Sequence, residues 1–248
     1  MRIARTSTLL AVCLLVAAVA GADTLLVTKS HTDGFSMMGK NQPAKDLQVE
    51  TWIGTDRVAR VDAEKTVILR ADLKKLYVVD HAEKTYSAID LPVEFKKLVP
   101  AEMAAMMEQM TSMMKMTATV TPTDETRQIG GRNARKYLIS VSNPMGMTMN
   151  IESWATKELD VDVAALRELQ ISASSLQPGG DWTRKLAEVE GYPVLQESTM
   201  TMRGLQVKSR EELVSAEKKD APAGVYDPPA GYEERAFDAM QAMQQRGN

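Results

Sequence analysis

The chain is poor in the residues that most often carry chemistry. Its 248 residues include one cysteine and two histidines. A nucleophilic triad is therefore improbable, and no Gly-x-Ser-x-Gly elbow occurs. His31 and His81 lack the short His-x-x-x-His type of spacing that builds a zinc site, and they read as surface residues near strand ends. Gly130-Gly131 and Gly179-Gly180 are not followed by Lys-Ser or Lys-Thr, so they are turns and not phosphate loops. Carboxylates are plentiful, but no pair stands out as buried. The sequence assigns no catalytic residue, no metal ligand set of the ordinary kind and no cofactor, and the expectation is a protein that is not an enzyme. Lysine and arginine total 30 against 33 acidic residues. That balance excludes nucleic acid as the natural partner, since phosphate binding needs concentrated positive charge.

Long apolar runs are scarce too. The only one, Leu9 to Ala20, follows Arg2 and Arg5 and ends in Ala20-Gly21-Ala22. A basic start, an apolar run and a small-x-small site are the three parts of a secretory signal. The run is shorter than the roughly 18 residues of a membrane anchor. Residues 1–22 are thus expected to be a signal peptide cut before Asp23, placing the protein in the periplasm or outside the cell with no transmembrane segment left. Cys13 lies inside that run, where a lipoprotein signal would need it at the cut. Its removal would leave no thiol and no disulfide, and loss of Arg2 and Arg5 would take the net charge from −3 to −5. The expected layout is one domain over 23–234 and a helical or frayed tail over 235–248.

What the chain does have is alternation. Leu25–Ser30, Leu47–Ile53, Val58–Val61, Thr66–Arg70, Leu76–Asp80 and Thr85–Ile89 read as short strands separated by polar turns. Gly34 to Pro43 interrupts the first two. Thr117–Thr126, Tyr137–Val141, Met145–Ile151, Val194–Met202 and Leu205–Val214 resume the pattern, with Gly130-Gly131 and Arg203-Gly204 as hairpin turns. Pro100 and the residues after it predict a helix, as do a segment from about Asp160–Asp162 and a shorter one over Arg184–Val189. About ten to eleven antiparallel strands in one domain must curl. The expected fold is mainly β, an unclosed half-barrel whose helices cover the concave face.

Five segments give this pattern a family resemblance. TVILRADLKKLYVVDHAEKTYSAID (66–90), GGRNARKYLI (130–139), IESWATKELDVD (151–162), GYPVLQES (191–198) and VYDPPAGYEE (225–234) resemble a bacterial domain of unknown function, DUF4412. That domain looks like a relative of the periplasmic lipoprotein carriers. The resemblance implies an open antiparallel half-barrel in the export compartment, sheltering an apolar ligand. It implies no individual ligand-contacting residue.

Methionine is the compositional anomaly. Of 17 in the chain, seven fall within residues 103–116. Met103, Met106, Met107, Met110, Met113 and Met114 recur every three or four residues, spanning an arc of roughly 120° on a helix. Met145, Met147 and Met149 share one strand face, and Met200 and Met202 share another. Three readings stay open. These residues are ordinary core. They are the pliable lining of a cavity for a lipid, an acyl chain or a lipidated protein, because flexible thioethers accommodate varied partners. Or they form a Cu(I) site, since soft sulfur selects that ion. Trp52, predicted to point away from Leu47, Val49 and Ile53, is a further candidate for lining a ligand site. The leading expectation is a carrier of an apolar small molecule, lipid or lipoprotein. The alternatives are a copper module and a structural protein that presents the same face to a partner chain.

Overall fold

The computed structural model describes residues 22–37, 40–99, 115–177 and 180–239. The Met103–Met114 run, the expected signal peptide up to residue 21 and the last nine residues of the tail lie outside these.

Two consecutive meanders make up the main sheet. The first contains β1 (Thr24–Thr32), β4 (Lys45–Gly54), β5 (Arg57–Val61), β6 (Lys65–Arg70), β7 (Lys75–Asp80) and β8 (Thr85–Asp90). Between β1 and β4 the interrupted stretch forms a small ribbon of its own, β2 (Phe35–Met37) with β3 (Lys40–Gln42). The second meander contains β9 (Thr117–Ile129), β10 (Arg132–Ser142), β11 (Thr148–Thr156), β12 (Tyr192–Met202) and β13 (Leu205–Lys218). A last short strand, β14 (Glu233–Glu234), pairs in parallel with Thr85 and Tyr86. The order β14-β8-β7-β6-β5-β4-β1-β13-β12-β11-β10-β9 makes a single twelve-stranded sheet, unclosed, with every other pairing antiparallel. The meanders meet only where β1 pairs with β13. That ladder slips between Val27 and Thr28, and the extra residue on β13, Val214, is left exposed.

Turn chemistry sets the registers. Gly130 and Gly131 both have positive φ (56° and 77°), as do Arg203 and Gly204 (50° and 83°), the signature of two-residue hairpins matched to strand twist. In the longer 71–74 and 81–84 turns the left-handed position is filled by Lys74 and Lys84.

The first meander buries both of its faces. On one face Leu26, Ile53, Val58, Leu69, Leu76 and Ile89 form an almost dry cluster. Helix α1 (Val163–Ser174) packs against it through Leu169. The Asp162 carboxylate caps α1 by accepting the Ala165 N–H at 2.9 Å. The expected short helix over Arg184–Val189 is a longer 3₁₀ segment, Gly180–Glu188, whose Trp182 and Leu186 pack on Tyr137, Ile139 and Val141. On the opposite face Leu25, Trp52, Ala59, Ile68 and Val79 are covered by the chain after β13, through Ala221, Val225, Tyr226 and Tyr232.

That C-terminal segment is a strap. The Arg57 guanidinium lies 4.4 Å from the Tyr226 ring centroid, and Arg70 Nη1 donates to Asp227 Oδ1 at 2.6 Å. His81 links Thr66 and Tyr232, with its ring nitrogens 2.8 Å and 3.1 Å from the two hydroxyls. The strap then rounds the β8 edge as β14 and returns to the first face, where Phe237 joins the main cluster. Residues 233–234 thus form an edge strand that pairs the first backbone groups of β8.

Two tests follow from this architecture. Gly191 has φ +88°, and a Cβ placed there would overlap the Thr156 carbonyl. Gly191→Ala is expected to cost about 2–4 kcal/mol by urea denaturation, combining strain and steric overlap, whereas Gly131→Asn, with nothing near its Cβ, stays within about 1 kcal/mol. His31 lies against Asp46 (2.7 Å) and Asp33 (3.3 Å). The hydrogen bond to Asp46 holds its pKa above the ordinary 6.5, with Asp33 adding to the shift. A pKa raised by folding gives a stabilisation that is complete below the unfolded value and is lost as pH rises through the folded one. Proton NMR titration should show His31 above 6.5 and Asp46→Asn moving it down; a titration at or below 6.5 would mean the contact is absent in solution.

Candidate functional site

The first face is concave, and a pair of side chains measures how strongly it curls. Arg60 on β5 is in register with Thr51, Leu26 and, on β13, Ala216. Glu211 lies five residues back along β13. In a flat sheet β5 and β13 would be three spacings apart, about 14 Å, before that offset is counted. Yet Arg60 Nη2 and Glu211 Oε2 are 3.9 Å apart. The sheet bends enough for two long side chains to meet across it.

Between this concave face and α1 lies a cavity of about 360 Å³, within the size range of small-molecule pockets. Its apolar lining comes from Val67 and Ile139 on the sheet, Val163, Leu166 and Leu169 on α1, and Val189 after the 3₁₀ segment. Arg167 of α1 donates through Nη2 to the Val189 carbonyl, tying the helix to that segment.

The rest of the lining is polar, and the register explains why it is grouped. Ser153, Gln196 and Glu211 are direct neighbours across β11, β12 and β13. Gln196 Nε2 donates to the fully buried Ser153 Oγ at 3.3 Å. Thr51 and Arg60 face them from the other meander. Tyr192, at the start of β12, completes the group. Burial pushes its phenol well above the ordinary tyrosine value; the Glu211 carboxylate adds to that and Arg60 opposes it. Tyr192 is consequently a neutral hydroxyl at any physiological pH.

Farther along the same face the lining turns to sulfur. Ala118, Val141, Met149, Met200 and Val207 form one row across β9 to β13. Met149 and Met200 are direct cross-strand partners, both partly exposed. Met116 packs in the same cluster as Met149. Met202 follows toward the β12–β13 hairpin. Met147 lies in the β10–β11 hairpin, where its N–H is accepted by the Asn143 side chain, and Met145 stands 61% exposed at the tip. Met103, Met106, Met107, Met110, Met113 and Met114 fall outside the described residues. Trp52 points to the other face, 3% exposed beneath the strap. Trp154 is held under Arg127, with the guanidinium 4.1 Å from its ring.

The sequence reading singled out the methionines and passed over the polar group. A signal was available: Val58 and Arg60 share a face by alternation, so an arginine occupies an inward position two residues from a fully buried valine. Among the described residues no cluster of three or more His, Cys, Asp or Glu is arranged to hold a metal ion, and no helix is long and apolar enough to cross a membrane.

Comparison with known proteins gives three results. A crystal structure from Vibrio parahaemolyticus, described as an outer membrane lipoprotein-sorting protein domain, is similar over 79% of this chain and 85% of its own, at 5% identity and a TM-score of 0.28. No curated protein matches. The family model of the domain of unknown function DUF4412 matches residues 43–232, most of the described sheet with its helix and strap, and the chain belongs to that family.

Proposed function

We propose that this is an exported, non-enzymatic binding protein that shelters an apolar ligand, a lipid, acyl chain or lipidated protein, against the concave face of its sheet. The observation that carries the reading is the cavity between α1 and the sheet, walled by Val67, Ile139, Leu166 and Leu169, with the partly exposed pair Met149 and Met200 on the same face of the sheet. A face that is part-buried and apolar, covered among the described residues by the 3₁₀ segment and by a helix of which only Leu169 and Ser172 are buried, is lightly sealed. Each methylene that enters it gains about 0.8 kcal/mol relative to water. Flexible methionines extend the surface for chains of differing length. The methionines of the 103–114 run belong to the same proposed lining, and the export signal supplies the compartment.

The test is direct. Protein purified without detergent is expected to release lipid into organic solvent, and the delipidated protein to bind a long-chain fluorescent probe. Leu166→Arg, at a cavity wall, should weaken probe binding at least tenfold, the cost of forcing a charge into apolar contact being above about 1.4 kcal/mol. A delipidated protein that binds no such probe ends the carrier reading.

A second reading, Cu(I) binding, is favoured by one observation: Met149 and Met200 bring two thioethers together across adjacent strands. Titration with Cu(I) under reducing conditions should then show a site that the Met149→Leu, Met200→Leu double variant loses. Equal affinity of both proteins removes it.

A further inference from the structure

The polar group in the cavity is out of place for a pocket that takes only hydrocarbon. A charged pair half-open to solvent contributes about 0–1 kcal/mol to stability, and Arg60 and Glu211, 47% and 37% exposed and 3.9 Å apart, are a loose example of one. Stability does not account for placing them on an inward face. Their position is also specific. They come from different meanders and meet over the join, next to Thr51, Ser153, Gln196 and Tyr192, at the boundary between polar and apolar lining.

We infer that Arg60 and Glu211 are a headgroup clamp for a zwitterionic amphiphile, with Arg60 taking a phosphate and Glu211 a primary or quaternary ammonium while the tail lies along the apolar wall. This rests on the carrier reading and names the ligand class for it. The chemistry of each group fits its role. A guanidinium presents parallel donors that match phosphate oxygens, and a carboxylate is acceptor-only and pairs with an ammonium. The pair is long enough to open at small cost, and each member then finds a better partner on the ligand than in the other. The neighbouring side chains hold neutral donors and acceptors, namely the hydroxyls of Thr51, Ser153 and Tyr192 and the amide of Gln196, which suit ester and glycerol oxygens. The remaining charged group of the lining, Arg167, is engaged with the Val189 carbonyl. Glu211 is the discriminating member. It repels a simple carboxylate or an anionic phosphodiester that lacks an amine, and so separates zwitterionic from anionic lipids.

The experiment is competition against a bound long-chain fluorescent probe, using phosphatidylethanolamine, phosphatidylglycerol, a fatty acid and diacylglycerol of matched chains in the same neutral micelles. The purified protein should release the probe to phosphatidylethanolamine at concentrations about five- to tenfold below those for phosphatidylglycerol, the size of one ordinary hydrogen bond. Glu211→Gln should remove that preference by improving the phosphatidylglycerol response. Arg60→Gln should weaken both phospholipids and leave diacylglycerol unchanged, and Arg60→Lys should retain much of the phosphate response. Unaltered probe affinity in each variant shows that the cavity is intact. If the probe binds but the wild type ranks the lipids equally, or Glu211→Gln leaves the ranking as it was, the clamp is wrong and the carrier reading stands. If no probe binds, both fall.

Discussion

The β1–β13 ladder holds the molecule together. Every other neighbouring pair in the main sheet, apart from the two-residue β14 edge, joins strands of one consecutive meander. Only Thr24–Thr32 against Ser209–Lys218 unites the halves. On its concave side, Thr51 and Arg60 approach from the first meander and Ser153, Gln196 and Glu211 from the second. The cavity therefore exists only when this ladder is formed. Its curvature is equally a property of the join, since Arg60 and Glu211 reach one another across it.

A sheet with two extensive faces needs two covers, and the described residues hold little helix to supply them. It uses α1 and the 3₁₀ segment on the concave side and an irregular strap on the other. The strap contributes through aromatic rings and not through a regular apolar stripe: Tyr226 fills the space over Trp52, and Tyr232 meets His81 edge-on with ring centroids 5.9 Å apart. This gives physical content to the family-resembling segment VYDPPAGYEE, whose two tyrosines are the strap's anchors and whose two glutamates are β14. Neither role follows from periodicity.

Much of the fold was legible because the strands alternate cleanly and polar or glycine-containing turns separate them. The half-barrel architecture, the Gly130-Gly131 and Arg203-Gly204 hairpins and the helix after Asp162 were all readable. Trp52 was correctly expected to point away from Val49 and Ile53. The short pieces were not readable: β2, β3 and β14 are two or three residues long, and what makes them strands is a neighbour and not their own pattern. The site was legible in part. Met149 and Met200 were named, and the register makes them partners. The polar half was missed because Arg60, Tyr192 and Glu211 are far apart in sequence and each, alone, resembles an ordinary strand residue. Only the curl of the sheet brings them together.

The order of the two meanders has a consequence for how the protein comes into being. Among the described strands β1 is the first to be synthesised and ends in the middle of the sheet, yet its second neighbour, β13, is the last long one to emerge. Until then the first meander stands with the β1 edge bare, its backbone donors and acceptors answered only by water, and with the Leu25–Trp52 surface still lacking Tyr226. Contacts this remote in sequence carry a large loop-closure cost and slow folding accordingly. The growing chain is thus vulnerable to strand-to-strand misassociation from the emergence of β1 until that of β13, and the sheet is sealed only once β13 and the strap have followed.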